Sequence, residues 1–285
     1  MTGAVEVKPW FRPAGPAGVA DAAFETCRRA PSAFLALSLL VNVPLFASVA
    51  GLHVFVRERG GTWGSFSYFA ILAVLSIAVA AAMWLRAVGT GALAHASVSA
   101  ISRGEASAAR SMRAALAAGA TLGAISAFRL AAILAGAVAC GLPAAIVYGA
   151  FALAPHVAVL EGLSVSQSFV RSARLAPRAA AGIFASTLLA VLVLVIGFVE
   201  ILLFAQLAVV LAGAVAPSVP TGWLARPETA WVALAITKII ADPLVSAAST
   251  LAWIDARIRG EGLDLELRSQ LVAGERLSIE PETAT

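Results

Sequence analysis

The sequence predicts an all-α protein: a polytopic membrane bundle of about six transmembrane helices, built as three hairpin repeats with amphipathic helices on the cytoplasmic side. Three observations carry this. Of the 285 residues, 60% are hydrophobic and only 13% are charged, with a mean hydropathy of +0.91, whereas a soluble domain carries about 25% charged residues. Apolar runs of the length a bilayer crossing needs, about 20 residues, recur along the chain. The segments between them alternate between rich and poor in Lys and Arg. The composition excludes a disordered chain or a coiled coil. With only Cys27 and Cys140 it also excludes a disulfide scaffold. Three histidines are too few for a metal cluster.

Residues 1–31 form a polar cytoplasmic segment with one amphipathic helix. The polar lead is long for a secretory signal, so the first apolar run is expected to stay as an anchored span. The membrane domain covers 32–254. Its first span is 32–56, closed by Arg57-Glu58-Arg59-Gly60-Gly61. The second is 66–85, continuing as a helix beyond Arg86. The run 114–160 is too long for one crossing, and Cys140-Gly141-Leu142-Pro143 is the expected break into two. Residues 179–215 make the fifth span, the prolines 217, 220 and 227 a loop, and 230–253 the sixth. Residues 255–285 form a cytoplasmic helix and tail. Five spans is the rival count, if 114–160 crosses once.

Six spans place 14 of the 20 Lys and Arg on the side of the termini and three, Arg57, Arg59 and Arg226, on the other. That asymmetry assigns both termini to the cytoplasm. An internal repeat supports the count. A shift of 61 residues aligns His95 with His156 and Arg110-Ser111-Met112-Arg113 with Arg171-Ser172-Ala173-Arg174, with eight identities over positions 95–118. Phe24 to Pro31 is a looser third copy. Each unit begins with an arginine-bearing helix. Its apolar residues, Phe169 and Leu175 in the best-defined copy, are expected to lie in the membrane interface. Arg28, Arg29, Arg110, Arg113, Arg171, Arg174 and Arg178 would then meet headgroups of anionic membrane lipids, or serve as positive-inside anchors.

Two segments resemble a known family. The opening stretch from Arg12-Pro13-Ala14-Gly15 to Phe24, then Arg28-Arg29 and Val43-Pro44, is one. The closing stretch Trp253-Ile254-Asp255-Ala256-Arg257-Ile258-Arg259-Gly260-Glu261-Gly262-Leu263-Asp264 is the more specific. Both resemble the bacterial glycerophosphoryl diester phosphodiesterase membrane-domain family, and 161–174 is similar to its middle cytoplasmic motif. Trp253-Ile254 and Ala256 depart from its usual residues. The resemblance implies a six-span unit of the bacterial cytoplasmic (inner) membrane. In relatives this unit is fused to a phosphodiesterase barrel of about 250 residues; about 30 residues follow the last span here, so that catalytic domain is not expected.

The expected spans hold five notable charges, Arg86 near the cytoplasmic end of the second and a deeper set of four: Arg129, Glu200, Lys238 and Asp242. Ionisable groups in lipid are expensive, and these balance in sign, which suggests a network that specifies helix packing or lines a polar path. Glu200 is expected to pair with Lys238 across the last hairpin. Lys238 and Asp242 share a helix face, and Pro243 can kink that helix. Gly119 and Gly123 form a GxxxG notch suited to close helix approach. At the cytoplasmic end, Asp255 with Arg259 and Arg257 with Glu261 make a helical ion ladder that Gly262 could cap; this is also a candidate docking surface for a protein partner.

No catalytic motif is present: no GxSxG, HExxH or Gly-rich phosphate loop. No cofactor or metal site is expected, since His95 and His156 lack thiol or carboxylate neighbours in sequence. The basic residues are spread along membrane-edge segments, which disfavours nucleic acid. The first expectation is therefore a non-enzymatic membrane scaffold or assembly subunit. The second is a transporter, channel or lipid-handling protein using the intramembrane charges. The third is a membrane accessory of a lipid-diester enzyme.

Overall fold

The computed structural model describes residues 16–59, 65–138, 142–215 and 227–263. Among them every regular element is a helix: α1 Pro16–Arg29, α2 Pro31–Arg59, α3 Ser65–Arg103, α4 Ala108–Ala117, α5 Gly119–Val138, α6 Leu142–Phe151, α7 Ala154–Leu160, α8 Val165–Val215 and α9 Pro227–Glu261. Four of them hold stretches long and apolar enough to cross a membrane: Pro31–Ser48, Ser76–Arg103, Val165–Leu207 and Ala230–Glu261. A fifth is counted if α4 and the start of α5, bent by 70° at Ala118, act as one span. The described residues give four to five such helices, and the expected break of 114–160 into two crossings falls partly outside them. The two halves of 114–160 differ: α5 runs 20 residues, whereas α6 and α7 are short helices of 10 and 7. The Cys140-Gly141 break, the 217–226 loop and the tail after Leu263 lie outside the described residues.

The molecule divides into a packed base and an apolar belt. In the base, Ile101, Leu153, Val157, Leu175, Leu251, Trp253 and Ile254 are all buried. This core joins the last turns of α3 and α9, one face of α7, the first turns of α8 and one face of α1. A second core beside it joins Phe34 and Leu37 of α2 to Val88, Leu93, Leu122 and Ile125. The belt is exposed. On α8, large apolar side chains stand outward from Phe184 to Leu207, and on α9 from Trp231 to Ile240. In water such a surface would be an association site; an apolar solvent satisfies it.

The amphipathic helices use their apolar stripes inside the protein. On α1, Val19, Ala23 and Thr26 are buried at helical spacing. At the start of α8, Ser168, Ser172, Leu175 and Ala179 do the same. Phe169 stacks with Phe128 and Phe151 at 4.8 and 4.7 Å between ring centroids. The interface position expected for Phe169 and Leu175 is therefore corrected: tertiary packing offers these side chains the same desolvation as lipid, with fixed partners. The last helix also crosses the boundary drawn at 254/255 without a break.

Close approaches depend on glycine at two points. A Cβ on Gly182 of α8 would lie 2.7 Å from the Ala252 Cβ of α9. The Gly119/Gly123 notch receives a side chain rather than a helix backbone. Trp84 of α3 lies in it, with its Nε1 donating to the Gly119 carbonyl at 3.1 Å, and a Cβ on Gly123 would meet the indole at 2.9 Å.

Gly182→Val should cost about 1–3 kcal/mol through overpacking. Gly149→Ala, which meets nothing within 4 Å, should be neutral or slightly stabilising; thermal melts in detergent compare them. Cys27 lies between the two cores, and burial pushes its thiol up to about 12. At about pH 8 an ordinary cysteine is about one quarter thiolate, and burial holds Cys27 far below that fraction. In a Cys140→Ser background, maleimide should therefore leave the folded protein unmodified and label it on denaturation, as read by mass spectrometry.

Candidate functional site: a polar cavity between α2, α3, α7 and α9

A proline inside α9 sets up the site. Pro243 has no N–H, so the carbonyl four residues earlier, on Ile239, loses its helical partner. Ser38 of α2 supplies one: its hydroxyl donates to that carbonyl at 2.8 Å. One turn along α2, Asn42 donates through Nδ2 to the Ser38 carbonyl at 3.0 Å and to Asp242 Oδ2 at 3.1 Å. Asp242 is thus held beside the gap its neighbour Pro243 creates.

The Asp242 carboxylate also collects two cations. Lys238 donates to Oδ1 at 2.6 Å, and Arg86 Nη1 of α3 lies 3.7 Å from Oδ2. Lys238 and Asp242 side chains are mostly buried, whereas the Arg86 side chain is 51% exposed. Around this cluster lies a cavity of about 80 Å³. Its walls include Ser38 and Asn42, Arg86 and Thr90, His156 of α7, and Asp242, Ser246 and Ser249 of α9. Gly89 lets α2 and α3 close one side, since a Cβ there would meet Val41 at 2.6 Å.

Four polar atoms of side chains that line the cavity are buried without a well-aligned hydrogen-bond partner: Asn42 Oδ1, both ring nitrogens of His156, which lies beside the Ser246 backbone, and Ser246 Oγ. His156 is only 3% exposed. An unsatisfied buried polar group costs about 1–3 kcal/mol. Three side chains with that defect around one cavity mark a place where something polar fits.

No family model, curated protein or solved structure matches this chain.

The sequence-predicted charges divide between this cavity and other places. Lys238 and Asp242 are in the cluster. The expected Glu200–Lys238 pair is not formed. Thr237 packs against Gly197 of α8. One residue on, about 100° around the helix, Lys238 is turned instead toward Asp242. Glu200 is exposed on α8, at the edge of an apolar groove it shares with Thr237 and Ile240. Arg129 stands over the Tyr148 ring at 5.5 Å, with its Nε buried and unpartnered. Arg86, Asn42, Ser38, His156 and Ser246 were not assigned to a site from sequence. Pro243 was the available signal, because a mid-helix proline requires a donor for the carbonyl it frees.

The base holds a second constellation. Arg171 donates to Glu161 at 2.9 Å and to Glu261 at 2.8 Å, while Trp253 Nε1 donates to Glu161 at 3.1 Å. Arg257 reaches Glu261 at 3.1 Å and lies over the Trp253 ring at 5.1 Å. Arg259 pairs with Asp255 at 2.9 Å, and Gly262 follows with φ +69°. The ladder pairs are therefore in place, but Arg171 is engaged within the protein. Arg28 and Arg29 pair with Glu25. Arg110, Arg113, Arg174 and Arg178 are exposed; Arg178 lies across Gly260. Serines at the two Arg-Ser-x-Arg motifs turn inward: Ser111 meets His95 Nδ1 at 3.1 Å, and Ser172 donates to the Ala150 carbonyl at 2.8 Å. Among the described residues no group of three or more His, Cys, Asp or Glu could hold a metal.

A double-mutant cycle distinguishes the pairings. Lys238→Met with Asp242→Asn should show a coupling of about 1–3 kcal/mol, whereas Lys238→Met with Glu200→Gln should be additive within about 0.5 kcal/mol. Denaturation of the purified protein in detergent measures both.

Proposed function

We propose that the chain is a multi-pass protein of the bacterial cytoplasmic membrane. In this reading it has six crossings in three hairpin units and both termini in the cytoplasm, and it accommodates a small polar solute in the cavity between α2, α3, α7 and α9. The observation that carries this is the set of unpartnered buried atoms on Asn42, His156 and Ser246. A helix-packing network has no use for them, because each weakens the fold it would serve. The solute-handling or lipid-handling class thus moves ahead of the pure scaffold. No side chain in the cavity forms a nucleophile–base pair, so binding or passage is preferred to catalysis.

A scaffold role is the second reading, and the base favours it. The Glu161–Arg171–Glu261 cluster is closed on itself and orders the ends of α7, α8 and α9 into one surface. The motif resemblance adds a third possibility, a membrane accessory to lipid-diester chemistry. The exposed Arg110, Arg113, Arg174 and Arg178 are suited to anionic headgroups, each contributing about 1 kcal/mol near a charged surface.

Two measurements test the proposal. Cysteine placed at Gln167 should react with an impermeant reagent only from the cytoplasmic side, and cysteine at Gly60 only from outside; labelling of position 167 in intact cells overturns the topology. A panel of cationic, anionic, zwitterionic and neutral small solutes should contain at least one that raises the Tm. A ligand at a hundredfold its Kd stabilises by about 2.7 kcal/mol. The gain should shrink in Ser246→Ala and His156→Leu. A panel with no response dependent on these residues removes the solute reading and leaves the scaffold.

A further inference from the structure

We propose that the cavity selects a small oxyanion that retains a hydroxyl proton, of the hydrogen phosphate or phosphomonoester kind, whether as a free ion or on a lipid headgroup. The inference rests on the cavity being a solute site and adds its chemical class.

Charge is the first argument. Arg86 and Lys238 face the single carboxylate of Asp242, which leaves one positive charge in excess. Both carboxylate oxygens are already engaged, Oδ1 by Lys238 at 2.6 Å and Oδ2 by Asn42 at 3.1 Å. An entering cation would find its only carboxylate occupied. An anion finds Arg86, whose 3.7 Å approach to Asp242 is too long for a hydrogen bond and leaves the guanidinium fork uncommitted.

Donor and acceptor pattern is the second. Ser246 offers a hydroxyl, whereas the one N–H of a neutral His156 ring has the Ser246 backbone carbonyl beside it as a competing acceptor. Arg86 and the Ser246 hydroxyl are therefore the donors suited to the oxygens of one ligand. Asn42 differs. Its Nδ2 donates to the Ser38 carbonyl and to Asp242 Oδ2, neither of which can donate in return. The amide orientation is thereby fixed, and Oδ1 is left as an unpartnered acceptor. It requires a ligand with a donor. A hydrogen phosphate or a phosphomonoester monoanion has both the oxygens and the O–H. Sulfate and phosphodiesters carry no such proton and would set an oxygen against Asn42 Oδ1. This is the kind of unpaired contact that makes polar sites discriminate strongly.

Size agrees. A cavity of about 80 Å³ is roughly half the 150 Å³ that accepts the six carbons of benzene. It suits a tetrahedral group of about five heavy atoms. The half-exposed Arg86 side chain marks its mouth.

The test uses the full chain in detergent and in nanodiscs. Inorganic phosphate should raise the Tm saturably, and sulfate at equal ionic strength should not. Ser246→Ala, a small change unlike the removal of Arg86, should weaken phosphate binding about tenfold, and Arg86→Gln should weaken it further. Phosphatidic acid added to phosphatidylcholine nanodiscs then identifies the source: competition with phosphate assigns the site to a lipid headgroup, and its absence to the free ion. Equal responses to phosphate and sulfate, or a phosphate response unchanged in Ser246→Ala, overturn the inference. If a neutral or cationic solute stabilises through Ser246 while phosphate does not, the oxyanion assignment falls and the solute site stands. If no solute depends on Ser246, both fall.

Discussion

The Ile239 carbonyl, which has no partner within its own helix, is the constraint around which the apolar half of the molecule is arranged. Pro243 removes the N–H that would have satisfied it, and in an apolar surrounding water does not substitute. Ser38 must therefore approach α9, and with Ser38 comes Asn42, and with Asn42 the carboxylate of Asp242. Lys238 and Arg86 then neutralise that carboxylate. One missing backbone donor thus draws α2 and α3 onto α9 and concentrates polar groups where the surrounding residues are Val, Leu and Ala. The cavity is the space this convergence leaves, with His156 of α7 closing it from the base.

The base solves a different problem with the same residue types. Its arginines lie outside the apolar stripes of α1, α4 and the first turns of α8, while small residues occupy the inner faces. Alanine and serine dominate those faces: Ala23, Ser111, Ala115, Ser168, Ser172 and Ala179 are all fully or almost fully buried. Small side chains let helices approach closely and give van der Waals contact along their whole length. Ser111, Ser168 and Ser172 are each tied to a neighbour, as Ser172 is to the Ala150 carbonyl. Arg171 is drawn in where it can be paired, between Glu161 and Glu261.

Much of the architecture was legible in the sequence. Hydropathy located the long apolar helices, and i,i+4 spacing located the Asp255–Arg259 and Arg257–Glu261 pairs because both partners sit on one helix. The failures share a cause. Glu200 and Lys238 were matched by height along two helices, but the rotation of each helix decides contact, and it is set by packing such as Thr237 against Gly197. The interface role expected of Leu175 failed because an amphipathic stripe reads the same whether lipid or protein covers it. The Gly119/Gly123 notch correctly signalled a close approach, yet nothing local could say that Trp84 would occupy it. The cavity was invisible for a related reason: Ser38, Arg86, His156 and Ser246 come from four helices, and none carries a spacing that announces the others.

The 51 residues of α8 form one helix of roughly 76 Å at 1.5 Å per residue, well over twice the ~30 Å of a bilayer's hydrocarbon. The exposed apolar stretch 184–207 accounts for about 35 Å of it. The part before it, built into the base, adds nearly 30 Å more at the same rise. A continuous helix of this kind acts as a stilt. Pro177 lies in it between the Arg171 cluster and the exposed apolar stretch, at the place where a bend of the rod would fall. Anything that seats on the Arg171 cluster would stand roughly 20 Å of helix away from the exposed apolar stretch, and a tilt of the rod would reach it through Pro177.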